Sequence, residues 1–286
     1  LPEGDGPFPA VILLQDFGPS DRNEQIGPNL PFYDLAEQLS KQGIAVLRYD
    51  KRTYTYANEM LGADEMTVYD EIIDDAVSAY TQLSAITQID PQRIYLLGHG
   101  FGGTVMPLVA DKLPETAGYI LLAAPARSIS DTLYEQVAYI LSLDETATEE
   151  NKADILEEAQ RTAQNIQELT PESTLSPDNL LGTPASYWLS LRDYQPLQAI
   201  QTVQKPLLFL YGGRDFRTTA EDQSLWQQAL DQSPQAVFKV YSNLNHLMMA
   251  GVGKSNPAEY QTKGTVSPEV SQDIADFIEQ TSSTTR

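Results

Sequence analysis

The sequence contains no cysteine. Disulfides, thiolate nucleophiles and cysteine-based zinc sites are therefore excluded. Histidine is scarce as well. His99 and His246 are the only two, too few to lead the expectation toward a transition-metal centre. Positive charge is short: 18 Lys and Arg face 40 Asp and Glu, a formal net charge of −22. Such a surface repels phosphate backbones and anionic lipid, so neither nucleic acid nor a membrane surface is an expected partner. The excess of acid suits solubility; a field that steers a cationic ligand is the sharper alternative. No apolar run is long enough to cross a bilayer, and no signal-peptide pattern opens the chain. The chain starts at Leu1 and not at Met, which reads as a trimmed start and leaves export open.

What is present is a globular composition, 41% hydrophobic and 9% aromatic over 286 residues. That fits one large domain, or a domain carrying an insertion. Short apolar runs recur: "AVILLQ" (10–15), "GIAVLRY" (43–49), "RIYLLG" (93–98), "GYILLAA" (118–124), "PLLFLYG" (206–212) and "AVFKVYS" (236–242). Several are apolar throughout, as strands buried on both faces of a parallel sheet are. Helix-period stretches such as "FYDLAEQLSKQ" and "VYDEIIDDAVSAYTQLSA" lie between them. The alternation predicts an α/β fold with a doubly wound sheet. The interval 126–204 breaks the rhythm, with no convincing strand and the helical run "TEENKADILEEAQRTAQNIQEL". It predicts a helical cap inserted between a first core part, 1–125, and a second, 205–286. Only the polar end "EQTSSTTR" has the composition of a disordered tail.

The stretch "YLLGHGFGG" (95–103) follows one of these strands, and "GTVMPLVADKL" reads as the helix after it. It spells G-x-G-x-x-G through Gly98, Gly100 and Gly103, a dinucleotide fingerprint. That reading needs the first strand of the unit and an acid about 20 residues on to hold the ribose. Here the loop follows the third strand, and the chain past Gly103 reads "LLAAPARS", with no acid. No cofactor is called for. The other reading is a strand-to-helix elbow, where small neighbours permit close packing and the tip residue is held at an unusual backbone angle. The tip is Gly100, which takes a positive φ at no steric cost. Serine there would be a nucleophile; glycine is not.

Two further residues stand where an elbow needs partners. Asp215 follows a strand in "PLLFLYGGRDF", and His246 follows the next in "AVFKVYSNLNHLMM". An acid can hold an imidazole in one tautomer while the imidazole takes a proton from a nucleophile. Alone, such an Asp is usually a turn former and such a His is usually structural. In the order elbow, acid, base they form a constellation, with Asp222 as the backup acid.

These features resemble the bacterial α/β-hydrolase superfamily, in its branch of dienelactone-hydrolase-like and serine esterase/aminopeptidase-like proteins. The resemblance rests on "GPSDRNEQIGPNLPFYDLAEQLSKQGIAVLRYDKRTY", the elbow, "LLGTPASYWLSLRDY", "YGGRD", "LNHLM" and "PAEYQTKGTVSPEVSQDIADFI". It implies an α/β-hydrolase fold with a helical cap and a small ester or acyl ligand. It implies a triad of elbow nucleophile, Asp215 and His246. Its oxyanion hole would be made of the backbone amides of Phe17 and Phe101.

The sequence departs from that pattern twice. Gly100 stands at the nucleophile position, and Gln15-Asp16-Phe17-Gly18-Pro19 replaces the usual His-Gly-Ser-Gly-Pro loop. Asp16 puts a negative charge beside the expected hole, which opposes an oxyanion. Weak or absent serine-type esterase activity is the leading expectation. The alternatives are a hydrolase using Asp16 or an activated water with Asp215 and His246, a serine esterase carrying an engineered glycine, and a non-catalytic protein that binds a small ligand or a protein. The pocket is expected between cap and strand ends, with Gln15, His99, Tyr134, Tyr187 and Trp188 as candidate walls. The charges at Asp21-Arg22 and Arg48 to Arg52 read as paired scaffold around the loops.

Overall fold

In a computed structural model, residues 1–60 and 65–284 are described. Residues 61–64, and with them Thr285 and Arg286 at the end of the polar tail, lie outside the described residues. The remainder of "EQTSSTTR" belongs to the last helix, Pro268–Thr284. All six apolar runs form strands: β1 (Phe8–Leu14), β2 (Ala45–Leu47), β3 (Ile89–His99), β4 (Gly118–Leu122), β5 (Leu207–Gly212) and β6 (Ala236–Tyr241). They make one parallel sheet in the order β2-β1-β3-β4-β5-β6. This is the α/β-hydrolase architecture that the alternation and the resemblance predicted.

Why these runs became strands is visible in their alternation. Ala10, Ile12 and Leu14 of β1, Ile94 and Leu96 of β3, and Leu207, Phe209 and Tyr211 of β5 enter one core. Val11 and Leu13, Tyr95 and Leu97, and Leu208 and Leu210 enter the other. Strands with both faces buried need apolar side chains at every position. One face is closed by helices Pro31–Ser40 and Pro268–Thr284, which bring Phe32, Leu35, Val270 and Ile274. The other is closed by helices Asp74–Ser84, Met106–Lys112 and Ala220–Ala229, which bring Leu83, Val109 and Trp226.

The strand order reverses between β1 and β3. Such a switch point leaves a crevice at the carboxyl ends of the two strands, where ligands bind in open α/β sheets. The register pairs Leu14 with Gly98. Asp16 and Gly100 each lie two residues past that pair, so the topology brings the altered loop and the glycine tip side by side.

Between β4 and β5 the described residues contain helices and no strand: Ile129–Ser142, Glu149–Gln167, Ala185–Leu191 and Pro196–Ala199, with short 3-10 turns. Ser128 and Thr148 cap the first two by accepting from the amides of Asp131 and Asn151. Small Ala159 and Ala163 line the buried side of the long second helix. This segment reaches the strand ends through Tyr194, whose hydroxyl donates to the carbonyl of Thr104 at 2.6 Å.

Leu96 lies at the centre of β3 with no exposed surface. Leu96→Ala should cost about 3 kcal/mol, lost transfer energy plus a cavity that the sheet cannot collapse around. A fall in the urea midpoint without a change in slope would show it.

Candidate active site

The elbow at the end of β3 is built by close approach. A Cβ on Gly98 would lie 2.4 Å from the backbone of Gly102, and one on Gly102 would lie 2.6 Å from the carbonyl oxygen of Gln15. Neither position tolerates a side chain. Gly100 adopts φ 51° and ψ −122° at the tip, just before the short helix Phe101–Thr104. This is the angle that lifts a tip residue above the sheet.

The space above Gly100 is occupied. A Cβ there would meet Asp16 Oδ1 at 2.3 Å, Cγ at 2.4 Å and Oδ2 at 2.8 Å. The carboxylate of Asp16, from the loop after β1, thus lies where an elbow side chain would stand. Oδ1 accepts from the amides of Phe101 at 2.7 Å and Phe17 at 2.8 Å. These are the two donors that the resemblance assigns to an oxyanion hole. Oδ2 meets Arg217 Nη1 at 2.9 Å and lies 3.5 Å from His246 Nε2. Burial pushes the carboxyl up, but the Arg217 guanidinium, then His246 and His99, outweigh it and hold Asp16 well below the usual carboxylate range.

His246 sits in the loop after β6, whose turn is braced by Asn245 Oδ1 accepting from the amides of Leu247 and Met249. Its Nδ1 lies 2.7 Å from Asp215 Oδ2, with both side chains almost fully buried. Asp215 Oδ1 accepts from the amide of Arg217 at 2.8 Å. Asp222 does not reach this site: its carboxylate binds Arg127 and the amides of Ala126, Arg127 and Thr219. Thr104 turns away from the tip, donating to the carbonyl of Pro125 at 2.7 Å.

Two buried charge networks lie behind the carboxylate. In the first, Glu24 Oε1 accepts from the amide of Asp16 at 2.7 Å and Oε2 lies 2.9 Å from His99 Nδ1. His99 Nε2 lies 3.0 Å from the carbonyl of His246. Burial pushes the His99 imidazole down, but Glu24 more than offsets this, lifting it to about 9. At neutral pH it is held as an imidazolium, ion-paired with Glu24 through Nδ1. In the second, Lys51 Nζ donates to the carbonyls of Asp16 at 2.5 Å and Gly18 at 3.0 Å and pairs with Glu71 at 2.9 Å. Glu71 also accepts from the amide of Gly18 at 2.8 Å and from the hydroxyl of Tyr187. The loop that carries Asp16 and Phe17 is thereby fixed to helix Ala185–Leu191.

A cavity of ≈ 580 Å³, its mouth included, opens onto Asp16, Gly100, Arg217 and His246, with Phe17, Phe101, Ile129 and Leu133 as apolar wall. A second hollow of ≈ 950 Å³ adjoins it across Phe101 and Ile129 and is lined by Trp188. The other candidate pocket residues lie elsewhere. Gln15 is buried, donating to the carbonyl of Tyr49 at 2.6 Å. His99 and Tyr187 are buried behind the site, and Tyr134 is exposed to solvent. Arg22 pairs with Asp50 at the surface. Arg217, Glu24 and Glu71 were not singled out from the sequence. The one signal for Arg217 was indirect: a carboxylate entering the site needs a cation. Among the described residues no group of three or more His, Asp or Glu is placed to hold a metal ion, and no helix is long and apolar enough to cross a membrane.

Comparison with known proteins adds a family and relatives. The family model described as serine aminopeptidase, S33, matches residues 31–252, which include Gly100, Asp215 and His246 and begin after Asp16. The curated protein Esterase EstD of Thermotoga maritima is 38% identical over 278 residues, 97% of this chain. The chain spans only 64% of the length of that relative. Among solved structures, Est1E from Butyrivibrio proteoclasticus aligns over 99% of this chain and 92% of its own, at 14% identity and TM-score 0.59. It has also been solved with ferulic acid bound. The esterase domain of a Rhodothermus marinus protein aligns over 98% of this chain and 90% of its own, at 19% identity and TM-score 0.54. At these identities the structures share the fold.

Two outcomes follow from the networks. Lys51→Met leaves the Glu71 carboxylate buried and unpaired, and should cost about 3–5 kcal/mol, while Lys51→Met with Glu71→Leu recovers much of the loss; denaturant unfolding of both variants checks this. The raised His99 adds stability that is complete below about pH 6.5 and is lost as pH climbs through about 9. Unfolding free energy should fall across that window by up to about 1.4 kcal/mol per pH unit, and His99→Gln should flatten the slope.

Proposed function

The chain belongs to the serine aminopeptidase S33 family of α/β hydrolases, and from that premise we propose that it is an esterase-like member in which acyl transfer to serine is shut off. The observation that carries this reading is the position of the Asp16 carboxylate, in the place of the elbow side chain and on both hole amides. Serine-type hydrolysis needs a hydroxyl at the elbow and two free donors for the developing oxyanion. Here Gly100 supplies no hydroxyl, and Asp16 Oδ1 uses both donors. A carbonyl oxygen arriving at the hole meets a negative charge. Loss of the nucleophile alone costs about 10⁶ in kcat where triads have been dismantled.

The pocket persists. On this reading residues 126–204 form a cap, and the cavity beneath it, apolar with a few convergent polar groups, suits a small ester-like or acyl ligand. The names of EstD and Est1E support that ligand class. Gly100 and Asp16 also fit one another: the carboxylate leaves no room for a Cβ at 100. That interlock favours natural divergence of both segments over a single introduced glycine. A second reading, hydrolysis by Asp16 with His246, is favoured by the 3.5 Å distance from Oδ2 to Nε2.

The test is restoration in two steps. Gly100→Ser alone should hydrolyse p-nitrophenyl acetate no faster than the unaltered chain and resist fluorophosphonate labelling. Gly100→Ser with Asp16→Gly should label and gain at least about 10² in kcat/KM, the worth of a freed oxyanion donor. Full activity from Gly100→Ser alone would sink the reading.

A further inference from the structure

We propose a second ligand site, separate from the elbow, in which the buried guanidinium of Arg214 and the hydroxyl of Tyr260 hold a small carboxylate. Arg214 precedes Asp215 in the chain and is only 5% exposed. Its Nε donates to the carbonyl of Gly253 at 2.6 Å. Its Nη2 donates to the carbonyl of Val252 at 3.1 Å and to the carboxylate of Glu259. Nη1 has no hydrogen-bond partner. A buried donor on a charged group is expensive to leave unmatched, and an orphan of this kind in a folded protein calls for an acceptor.

The hollow beside it supplies the context. Arg214 lines a space of ≈ 680 Å³, its mouth included, together with Asn29, Asn245, Glu259, Tyr260 and Lys263. None of its lining residues borders the cavity over Gly100. Tyr260 is 9% exposed, and its hydroxyl, near Ser255, makes no hydrogen bond. The acceptors in this wall are already committed. Asn29 Oδ1 takes the amide of Gly264, and Asn245 Oδ1 takes the amides of Leu247 and Met249. Glu259 holds Arg214 and Asn245. What remains uncommitted at depth is a pair of donors, Arg214 Nη1 and the Tyr260 hydroxyl.

Charge narrows the ligand further. Two cations, Arg214 and Lys263, and one acid, Glu259, line the hollow, an excess of positive charge in a chain with 40 acidic and 18 basic residues. The fitting ligand accepts hydrogen bonds, donates none and carries one negative charge. A carboxylate meets all three conditions and offers an oxygen to each donor. Entry is through the strip Gly251-Val252-Gly253. Gly251 lies over the guanidinium so closely that a Cβ there would meet Nη1 at 2.0 Å. Val252 is 95% exposed, so its side chain does not anchor the strip to the core, and a small ligand reaches Nη1 by lifting it.

The experiment titrates the ¹⁵N-labelled full chain with sodium acetate at neutral pH, against sodium chloride at equal ionic strength. The expected result is saturation at one acetate per chain, with the Arg214 Nε–H resonance moving in step and that of Arg217 unmoved. Tyr260→Phe should weaken binding about tenfold, the worth of a hydrogen bond to a charged group. Gly251→Ala should abolish it by displacing the guanidinium, while Arg217→Gln leaves it unchanged. The absence of saturable binding, a chloride response as large as that to acetate, or movement of Arg217 in place of Arg214 overturns the proposal. Undiminished affinity in folded Tyr260→Phe does the same. The Arg214 resonance is read in the unaltered chain and so tests the site even where a variant fails to fold.

Discussion

A carboxylate pressed over a glycine organises this site. Asp16 places its charged group against the one residue in the turn that has no side chain to refuse it, and each neighbouring feature answers that charge. Two amides at the switch point of the sheet take one oxygen. An arginine two residues beyond Asp215 takes the other. The imidazolium of His99, itself held by Glu24, adds positive charge from below. A buried anion is costly unless it is paired and hydrogen-bonded, and here the partners come from its own loop, from the elbow after β3 and from the two late loops that carry Arg217 and His246.

The protein's overall charge makes the local arrangement more informative. With acids outnumbering bases by more than two to one, cations are spent sparingly. Lys51 and Arg217 are both brought to the loop that carries Asp16 or to its carboxylate. Backbone strain gathers at the same end of the sheet. Glu24, Ala123 and Met248 take positive φ without being glycine, a conformation that persists where surrounding structure over-determines it. Glu24 uses it to turn its carboxylate back onto the amide of Asp16.

The fold was legible because strands buried on both faces must be apolar at every position, as the runs of β1, β4 and β5 are. The loop of Asp16, the Gly100 tip and the order of Asp215 and His246 were legible because backbone turns and chain order constrain residue type locally. The contacts of the Asp16 carboxylate were not legible, since they depend on the register that sets Leu14 beside Gly98. Arg217 carries no local signal, because its partner Asp16 lies at the far end of the chain. Tyr187 looked like pocket wall. It is instead buried with its hydroxyl on Glu71, a partner on another element that no local pattern announces.

The 2.3 Å approach between Asp16 and a Cβ at position 100 also bears on descent. If a lineage carrying serine at the elbow acquired Asp16 first, the carboxylate had to swing away from the amides or collide. If glycine came first, the hole stood open and idle until an acid filled it. Once both are in place, neither reverts alone without a clash or an empty cradle. The pair behaves as an epistatic ratchet, and related chains should hold both residues or neither.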